Sequence, residues 1–292
     1  MWPLRVALLT SDGGLYSSRR LIEAAHLRGL MTETLDIRCC DPDHLAVGAF
    51  DAVIPRIGSP IIDHGVAVVG RFEAMGACSL NSAAAIGLAQ DKARTADRLA
   101  CNGIPMPSTV LVRATDDQSV LIARMGPGPW VVKPRRGSRG LGVTLVHTPS
   151  DLAATLAAFQ DKAQDAMVQG YVVEAKGADI RCLVIGDRVA ASMKRQGGGG
   201  EFRSNLHLGG SALPVRISSQ ERDMAVAATR AIGLDVAGVD ILRARHGPLV
   251  IEVNASPGLR GVEAVSGKDI ASQVIRRLLK QVRARRAEGG FS

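Results

Sequence analysis

Apolar positions change their period along the chain, and each change predicts a different kind of element. "RVALLTSD", "TETLDI" and "FDAVIPRIG" are short strand-like runs, while "SSRRLIEAAHLRGL" and "VAVVGRFEAMG" carry apolar residues at helical spacing. This alternation predicts a parallel sheet covered by helices, in a first domain ending near residue 90. "SAAAIGLAQDKARTADRLACNGIPMPST" reads as one helical, Ala-rich passage, closed by Gly103 and stopped by Pro105 and Pro107. After it the texture changes. "WVVKPRRGSRGLGVTLV" predicts strand, glycine-rich loop and strand, and "SDLAATLAAFQDKA" a helix with Ser150 as its cap and Asp151 in its first turn. "DAMVQGYVV", "DIRCLVIGDRVAASMKRQ" and "VDILRARHGPLVIEVNASPG" predict further strands, mostly antiparallel because their connections are short. "SQERDMAVAATRAIGL" predicts an amphipathic helix, and "QGGGGEF" a mobile loop without regular structure.

The last hairpin poses a chemical question, because each of its apolar strands carries a carboxylate. A turn centred on His246 places Asp240 opposite Glu252, and residues two apart share a face, so Asn254 joins them. Like charges directly opposed destabilise a sheet, and burying them unpaired is worse. Removing either charge should therefore leave the fold intact. Asp, Glu and an Asn carbonyl are hard oxygen ligands suited to Mg²⁺ or Mn²⁺. The alternative is a polar face open to solvent, with Leu249, Ile251 and Val253 packed on the other side. A one-residue bulge would disturb the opposition.

The glycine loop "GSRGLG", Gly137 to Gly142, has neither the Lys nor the following helix of a Walker A loop, and it opens no Rossmann helix. What remains is a glycine-rich hairpin whose backbone N–H groups could cover phosphates, or a plain turn. Lys133 just before it, and Lys92 in "QDK", are candidates to place an ammonium on a phosphate.

Composition narrows the class. The chain has 292 residues, 46% of them hydrophobic, which is enough for two or three packed subdomains. No apolar run is long enough to span a bilayer, and the N-terminal stretch reads as a first buried strand rather than a secretory signal. The five cysteines contain no CxxC pair, which fits free thiols in a cytoplasmic protein. A net charge of +8 points to an acidic partner, while 3% aromatic residues give little platform for base stacking. Much of the positive excess lies in "RRLLKQVRARR", whose simplest reading is the solvated face of a last helix. Arg19 and Arg56 are candidates to receive carboxylates through bidentate pairs, or else ordinary surface arginines. His207 is a substrate contact or a structural hydrogen-bonder.

Taken in order, "KPRRGSRGLGV", "DIRCLVIGD", "FRSNLHLGG", "AGVDILR" and "IEVNASPGLRG" resemble the ATP-grasp superfamily, and within it the RimK-type α-L-glutamate ligases. "DGGLYSSRRLIEAA" and "FDAVIPRIG" are RimK-like too, so the resemblance runs across nearly the whole chain. It implies an α/β (α+β) architecture: an ATP-grasp fold with an N-terminal pre-ATP-grasp α/β domain over 1–90. A small ATP-grasp subdomain with the glycine lid would follow over 91–170, then a large one with the metal site over 171–285, and a tail over 286–292.

Carried over position by position, Lys92 and Lys133 bind nucleotide phosphates, and Gly137, Ser138, Gly140 and Gly142 close over them. Gln169, Gly170 and Tyr171, continuing to Val172, read the adenine edge; Asp179, Arg203, Ser204 and Asn205 contact ATP. Asp240, Glu252 and Asn254 hold two Mg²⁺ or Mn²⁺ ions. Arg203, Asn205 and Lys133 are the implied catalytic groups. Where the family usually shows Gln-Glu-Tyr this chain has Gly170, which removes one side-chain contact to the nucleotide.

The implied chemistry is attack of an acceptor carboxylate on the γ-phosphate, then attack of the L-glutamate amine on the acylphosphate. The preferred acceptor is the C-terminus of a ribosomal small-subunit protein, and the alternative is a pterin, deazaflavin or furan coenzyme. A non-catalytic module binding RNA or the ribosome is a third reading, disfavoured by Lys133, Asp240, Glu252 and Asn254. A cytoplasmic homo-oligomer (dimer or tetramer), without membrane contact or direct nucleic-acid recognition, completes the expectation. Arg19, Arg56, Arg135, Arg136 and Arg139 are expected to form a basic groove that favours repeated glutamate addition.

Overall fold

The structure is a computed structural model that describes residues 3–43, 50–117, 126–137, 140–199, 201–204 and 209–289. Strands β1 (Arg5–Thr10), β2 (Met31–Asp36), β3 (Ala52–Arg56) and β4 (Cys78–Ser79) form a parallel sheet in the order β2-β1-β3-β4. Helices α1 (Tyr16–His26) and α2 (Ile62–Ala74) connect them. From Val6 to Thr10 every residue of β1 is buried, because helices cover both faces of a parallel sheet.

The Ala-rich passage is two helices rather than one, α3 (Ala83–Gln90) and α4 (Lys92–Cys101). Asp91 breaks it with an extended backbone (φ −100°, ψ 103°), and its carboxylate accepts the N–H groups of Ala93 and Arg94. An Asp side chain that bonds the backbone locally ends one helix and caps the next.

The second sheet is antiparallel, in the order β5-β8-β6-β7, from β5 (Thr109–Val112), β6 (Trp130–Pro134), β7 (Thr144–Val146) and β8 (Ala166–Gly170). Its helix α5 (Pro149–Gln160) is capped by Thr148 and not by Ser150: Thr148 Oγ1 accepts the Asp151 N–H at 3.1 Å. Pro149 moves the start forward, since its fixed φ suits the first helical position and it has no N–H to satisfy.

The third sheet is antiparallel in the order β11-β10-β9-β12-β13. Its strands are β9 (Ala178–Ile185), β10 (Arg188–Gln196), β11 (Ser211–Pro214), β12 (Val236–Ala244) and β13 (Gly247–Asn254), with helices α6 (Ser219–Ile232), α7 (Arg260–Ser266) and α8 (Ile270–Gly289). A Ser218–Glu221 capping box opens α6, and Gly233 closes it at φ +83°.

Two apolar cores run continuously from the first sheet into the third. One joins Leu9, Val53 and Phe72 to Cys182, Val239 and Val250; the other joins Leu8, Leu21 and Ala24 to Leu183, Ile275 and Leu278. The seam is also polar. Asn81 donates to the carbonyls of Val236 and Ala255 and accepts from the N–H groups of Asp235 and Val236, which uses its full hydrogen-bonding capacity. The second sheet instead has a small core of its own, around Trp130, Val132, Leu152 and Val168.

The basic last helix is not simply a solvated face. Arg277 pairs with Asp235, Arg285 donates to the Ala77 carbonyl and Arg286 pairs with Asp51, so these charges join α8 to the rest of the body. All five cysteines are free thiols, and among the described residues no helix is long and apolar enough to cross a membrane.

Candidate nucleotide and metal site

The β12–β13 hairpin does bring Asp240 opposite Glu252, with Asn254 opposite Gly238, but by a different route from a symmetric turn. Ala244 pairs with Gly247, so the turn is only Arg245 and His246, and the register shifts at Ile251. That bulge creates the opposition that a bulge was expected to spoil. It also brings Ile251 to the wall of the pocket beside Glu252, while Val250 and Val253 stay in the core.

The cations facing Asp240 are protein side chains. Arg181, its register partner on β9, donates to both carboxylate oxygens at 2.7 Å, and Arg195 from β10 reaches Asp240 as well as Asp179. Ser204 donates to Asp179 too. Asp240 is 2% exposed. Burial pushes its carboxyl upward, but Arg181 and Arg195 outweigh that and hold it below the usual carboxylate range. Asp179 goes the other way: burial first, then the charge of Asp240, raise it against the pull of Arg195. The expectation that loss of the Asp240 charge would only relieve repulsion is therefore corrected, since it would leave Arg181 without its carboxylate and Arg195 with Asp179 alone.

Glu252 is different, because among the described residues its carboxylate accepts no hydrogen bond and forms no ion pair. Its charge acts instead on two lysines. Lys133 lies in the strand just before the glycine loop and donates to Gln169 Oε1 at 3.0 Å. Burial pushes its ammonium down to about 8, with Glu252 opposing and Lys92 adding to the shift. Lys92, at the start of α4, is lowered by burial against the charges of Glu252 and Asp91, and donates to the Gly137 carbonyl at 2.8 Å.

Over this floor the loop turns at Gly137, Gly140 and Gly142, with φ of +136°, +73° and +70°, conformations that favour glycine. Arg203 donates to the Gly140 carbonyl at 3.2 Å, and Glu201 holds its guanidinium from the other side. Tyr171 and Phe202 meet edge to face and wall a pocket that also takes in Lys92, Lys133, Asp179 and Glu252. Ser138, Arg139, Asn205 and His207 lie outside the described residues.

The segment expected to read the adenine edge offers fewer donors than its sequence suggests. The Gly170 N–H bonds the Ser108 carbonyl and the Tyr171 N–H the Pro129 carbonyl, which leaves the Val172 N–H unpaired among the described residues. A Cβ at Gly170 would lie 2.7 Å from Ser108 Oγ, so Ser108 occupies the space a side chain would need. In "RQGGGGEF", a Cβ at Gly197 would collide with the carbonyls of Glu201 and Arg203, so close approach of backbone requires that glycine.

Two of the arginines expected to form a basic groove are engaged by carboxylates. Arg135 pairs with Asp91 and Asp165, Arg136 pairs with Asp63, Arg19 is exposed on α1, and Arg56 is half-buried at the end of β3.

The donors fit a divalent ion that arrives with phosphate. Glu252 is unengaged by hydrogen bonds, and Asn254 Oδ1 accepts only the Ser256 N–H, so each retains oxygen lone pairs. No group of three or more His, Cys, Asp and Glu side chains able to hold an ion occurs among the described residues, so phosphate or water oxygens would complete the coordination. Three carboxylates (Asp179, Asp240, Glu252) face four cations (Lys92, Lys133, Arg181, Arg195), an excess of positive charge that suits a polyphosphate.

Comparisons with known proteins agree with this geometry. The RimK pre-ATP-grasp domain matches residues 4–86 and the RimK-like ATP-grasp domain residues 89–278. A probable α-L-glutamate ligase of Klebsiella pneumoniae (strain 342) is 48% identical over 283 residues, 93% of this chain and 94% of that one. The ribosomal protein bS6–L-glutamate ligase of Escherichia coli O81 (strain ED1a) is 46% identical over 284 residues, 94% and 95% of the two chains. Among solved structures, a D-cycloserine synthetase superposes with a TM-score of 0.75 at 20% identity, over 95% of this chain and 99% of that one. At that identity the likeness speaks for the fold. On the family matches and these relatives, the chain belongs to the RimK family of ATP-grasp ligases, ATP-dependent enzymes that form C–N bonds.

Proposed function

We propose that this chain is an α-L-glutamate ligase that activates the C-terminal carboxylate of a ribosomal small-subunit protein as an acylphosphate and joins L-glutamate to it. The observation that carries the reading is the convergence of Lys92, Lys133 and the glycine loop over the Glu252–Asn254 end of the hairpin. The protein acceptor is supported by the bS6–L-glutamate ligase relative, whose alignment covers nearly all of both chains.

Each residue then has a task. Lys92 and Lys133 release the Gly137 carbonyl and Gln169 and turn to the β- and γ-phosphates, where their charge offsets that of the transferring group. The acceptor carboxylate attacks the γ-phosphorus, the bond to the bridging oxygen breaks, and ADP departs. The glutamate amine attacks the acyl carbon, loses a proton, and the amide forms as phosphate leaves. Arg203 lies beside the lid to stabilise the oxyanion of that second step. Glu252, Asn254 and the remaining capacity of Asp240 would hold two Mg²⁺ ions, which would supply Lewis-acid charge neutralisation at the phosphates. Arg181 and Arg195 position Asp240.

The test is mass spectrometry of candidate acceptor peptides and coenzymes incubated with the protein, ATP, Mg²⁺ and isotope-labelled L-glutamate, with ADP release followed in parallel. The expected result is labelled glutamate at a peptide C-terminus and ADP release that requires both glutamate and acceptor. Label appearing only on a coenzyme would overturn the protein acceptor. No label on any acceptor would overturn the ligase assignment.

A further inference from the structure

We infer that Arg56 receives a substrate carboxylate in the crevice between the first sheet and the loop that follows Asn254. The inference rests on the ligase reading above and goes beyond it by assigning a substrate contact to the first domain.

Topology supplies the crevice. With the order β2-β1-β3-β4, the chain passes from β1 outward to β2 and then returns across β1 to β3. In an open parallel sheet this reversal separates the flanking connections, and ligands bind outside the carboxyl ends of the two strands concerned. Those ends are Thr10 on β1 and Arg56 on β3, which are register partners. The charged residue at this switch point is an arginine.

Among the described residues Arg56 forms no side-chain hydrogen bond and no ion pair, whereas the arginines nearer the nucleotide pocket (Arg135, Arg181, Arg195, Arg203) are all paired. Protein surrounds it closely enough that burial pushes it down to about 10, and no carboxylate opposes that shift. It nevertheless stays half-buried rather than sealed. An enclosed, unpaired cation costs stability and calls for an anion.

Position selects which anion. Arg56 shares its cavity with Asn81, Ala255, Pro257 and Leu259. Ala255 follows Asn254 directly, and the Leu259 N–H is bound by Ser17 Oγ at the start of α1, so the loop after the hairpin forms the far wall. Nucleotide phosphates already have Lys92 and Lys133. Both remaining substrates carry carboxylates, and a planar guanidinium matches a carboxylate through two parallel hydrogen bonds. The carboxylate that attacks phosphorus must be free to do so, so the one on Arg56 does not react: it belongs to L-glutamate or to the acceptor away from its reacting end.

Arg56→Met and Arg56→Lys test this in the full-length enzyme. Titration of L-glutamate, and separately of acceptor peptide, into enzyme saturated with Mg²⁺ and a non-hydrolysable ATP analogue needs no turnover. The expected result is that one carboxylate substrate binds Arg56→Met about 30-fold more weakly or worse, with a partial return in Arg56→Lys. Affinity for the ATP analogue should stay within about twofold, and the melting temperature should not fall, because no internal partner is lost. Weakened glutamate assigns the carboxylate to glutamate; weakened peptide assigns it to the acceptor. Unchanged affinity for both, or a lowered melting temperature with equal loss of nucleotide binding, would overturn the inference. Wild-type protein that binds glutamate yet ligates it to nothing would count against the proposed function while leaving this contact standing.

Discussion

The body of the molecule and its small clamp satisfy their groups in opposite ways. In the body, the first and third sheets share two apolar cores, and the charges of the floor are paired within one sheet by Arg181 and Arg195. The clamp, the sheet from β5 to β8 with its glycine loop, keeps a separate core and meets the body largely through polar contacts. Lys92 holds the Gly137 carbonyl, Arg203 holds the Gly140 carbonyl, Arg135 holds Asp91 and Arg136 holds Asp63. An apolar joint can slide only by exposing area, whereas a lysine on a carbonyl can exchange it for a phosphate oxygen at little cost. The difference predicts which half moves: the floor should be fixed before ligand arrives, and the clamp latched by cations that a ligand would recruit.

The sharpest way to break this comparison is to remove one floor charge of each kind. Asp240→Asn should lower stability by about 3–5 kcal/mol in urea unfolding, because it breaks a buried ion pair and leaves the Arg181 guanidinium without its carboxylate. Glu252→Gln should change stability by no more than about 0.5 kcal/mol while abolishing Mg²⁺-dependent ATP turnover. Equal stability in the two variants would show that the ion lattice does not hold the floor.

Next in size is the pH dependence of Lys133, whose ammonium sits near 8 in the folded protein against an ordinary 10.5. The charge is present below pH 8 and lost above it, so affinity for an ATP analogue should decline as pH rises through 8, by about tenfold per unit at most. Lys133→Met should bind weakly throughout and lack that inflection. The stability effect has the opposite sign. The unfolded chain holds the Lys133 proton up to about 10.5, so the destabilisation is full below pH 8 and is relieved between 8 and 10.5. Wild type should therefore gain stability relative to Lys133→Met across that window.

A smaller effect concerns the latch. Lys92→Met should speed amide exchange of the described lid residues 137 and 140–142 in the free enzyme, since it frees the Gly137 carbonyl, while exchange in the β12–β13 ladder stays as it was. Parallel changes in both would mean that lid and floor open together. Smallest of all, Gly170→Ala should cost about 1 kcal/mol through its approach to Ser108 Oγ, and Ser108→Gly in the same chain should recover most of it.

Sequence pattern carried the strands and most of the helices because their periods of two and of 3.6 are local properties. It also grouped Lys92, Lys133, Gly137, Gly140, Gln169, Asp179, Arg203 and Glu252, which do line one pocket. What it missed depends on contacts between distant segments. Arg181 and Arg195 lie 59 and 45 residues from Asp240, and only strand register shows that they are its neighbours. One clue was present: Arg181 stands two residues after Asp179, on the same strand face. The break at Asp91 was hidden by the helical propensity on both sides, and the hairpin register by a two-residue turn and a bulge that compensate each other. Gly197 acquires a reason only when the carbonyls of Glu201 and Arg203 are in view.

The cores shared between the first and third sheets also set the order of events during synthesis. The first sheet leaves the ribosome long before Cys182, Ile275 and Leu278, the residues that cover it. At ordinary translation rates the interval between residues 104 and 282 is roughly 10–40 s. Through that interval Leu21 and Ala24 of α1 have their own sheet to pack on but not α8, and Asn81 has no strand backbone to bind. The domain that is made first is thus the last to be completed, and its nascent apolar face is where a chaperone would act.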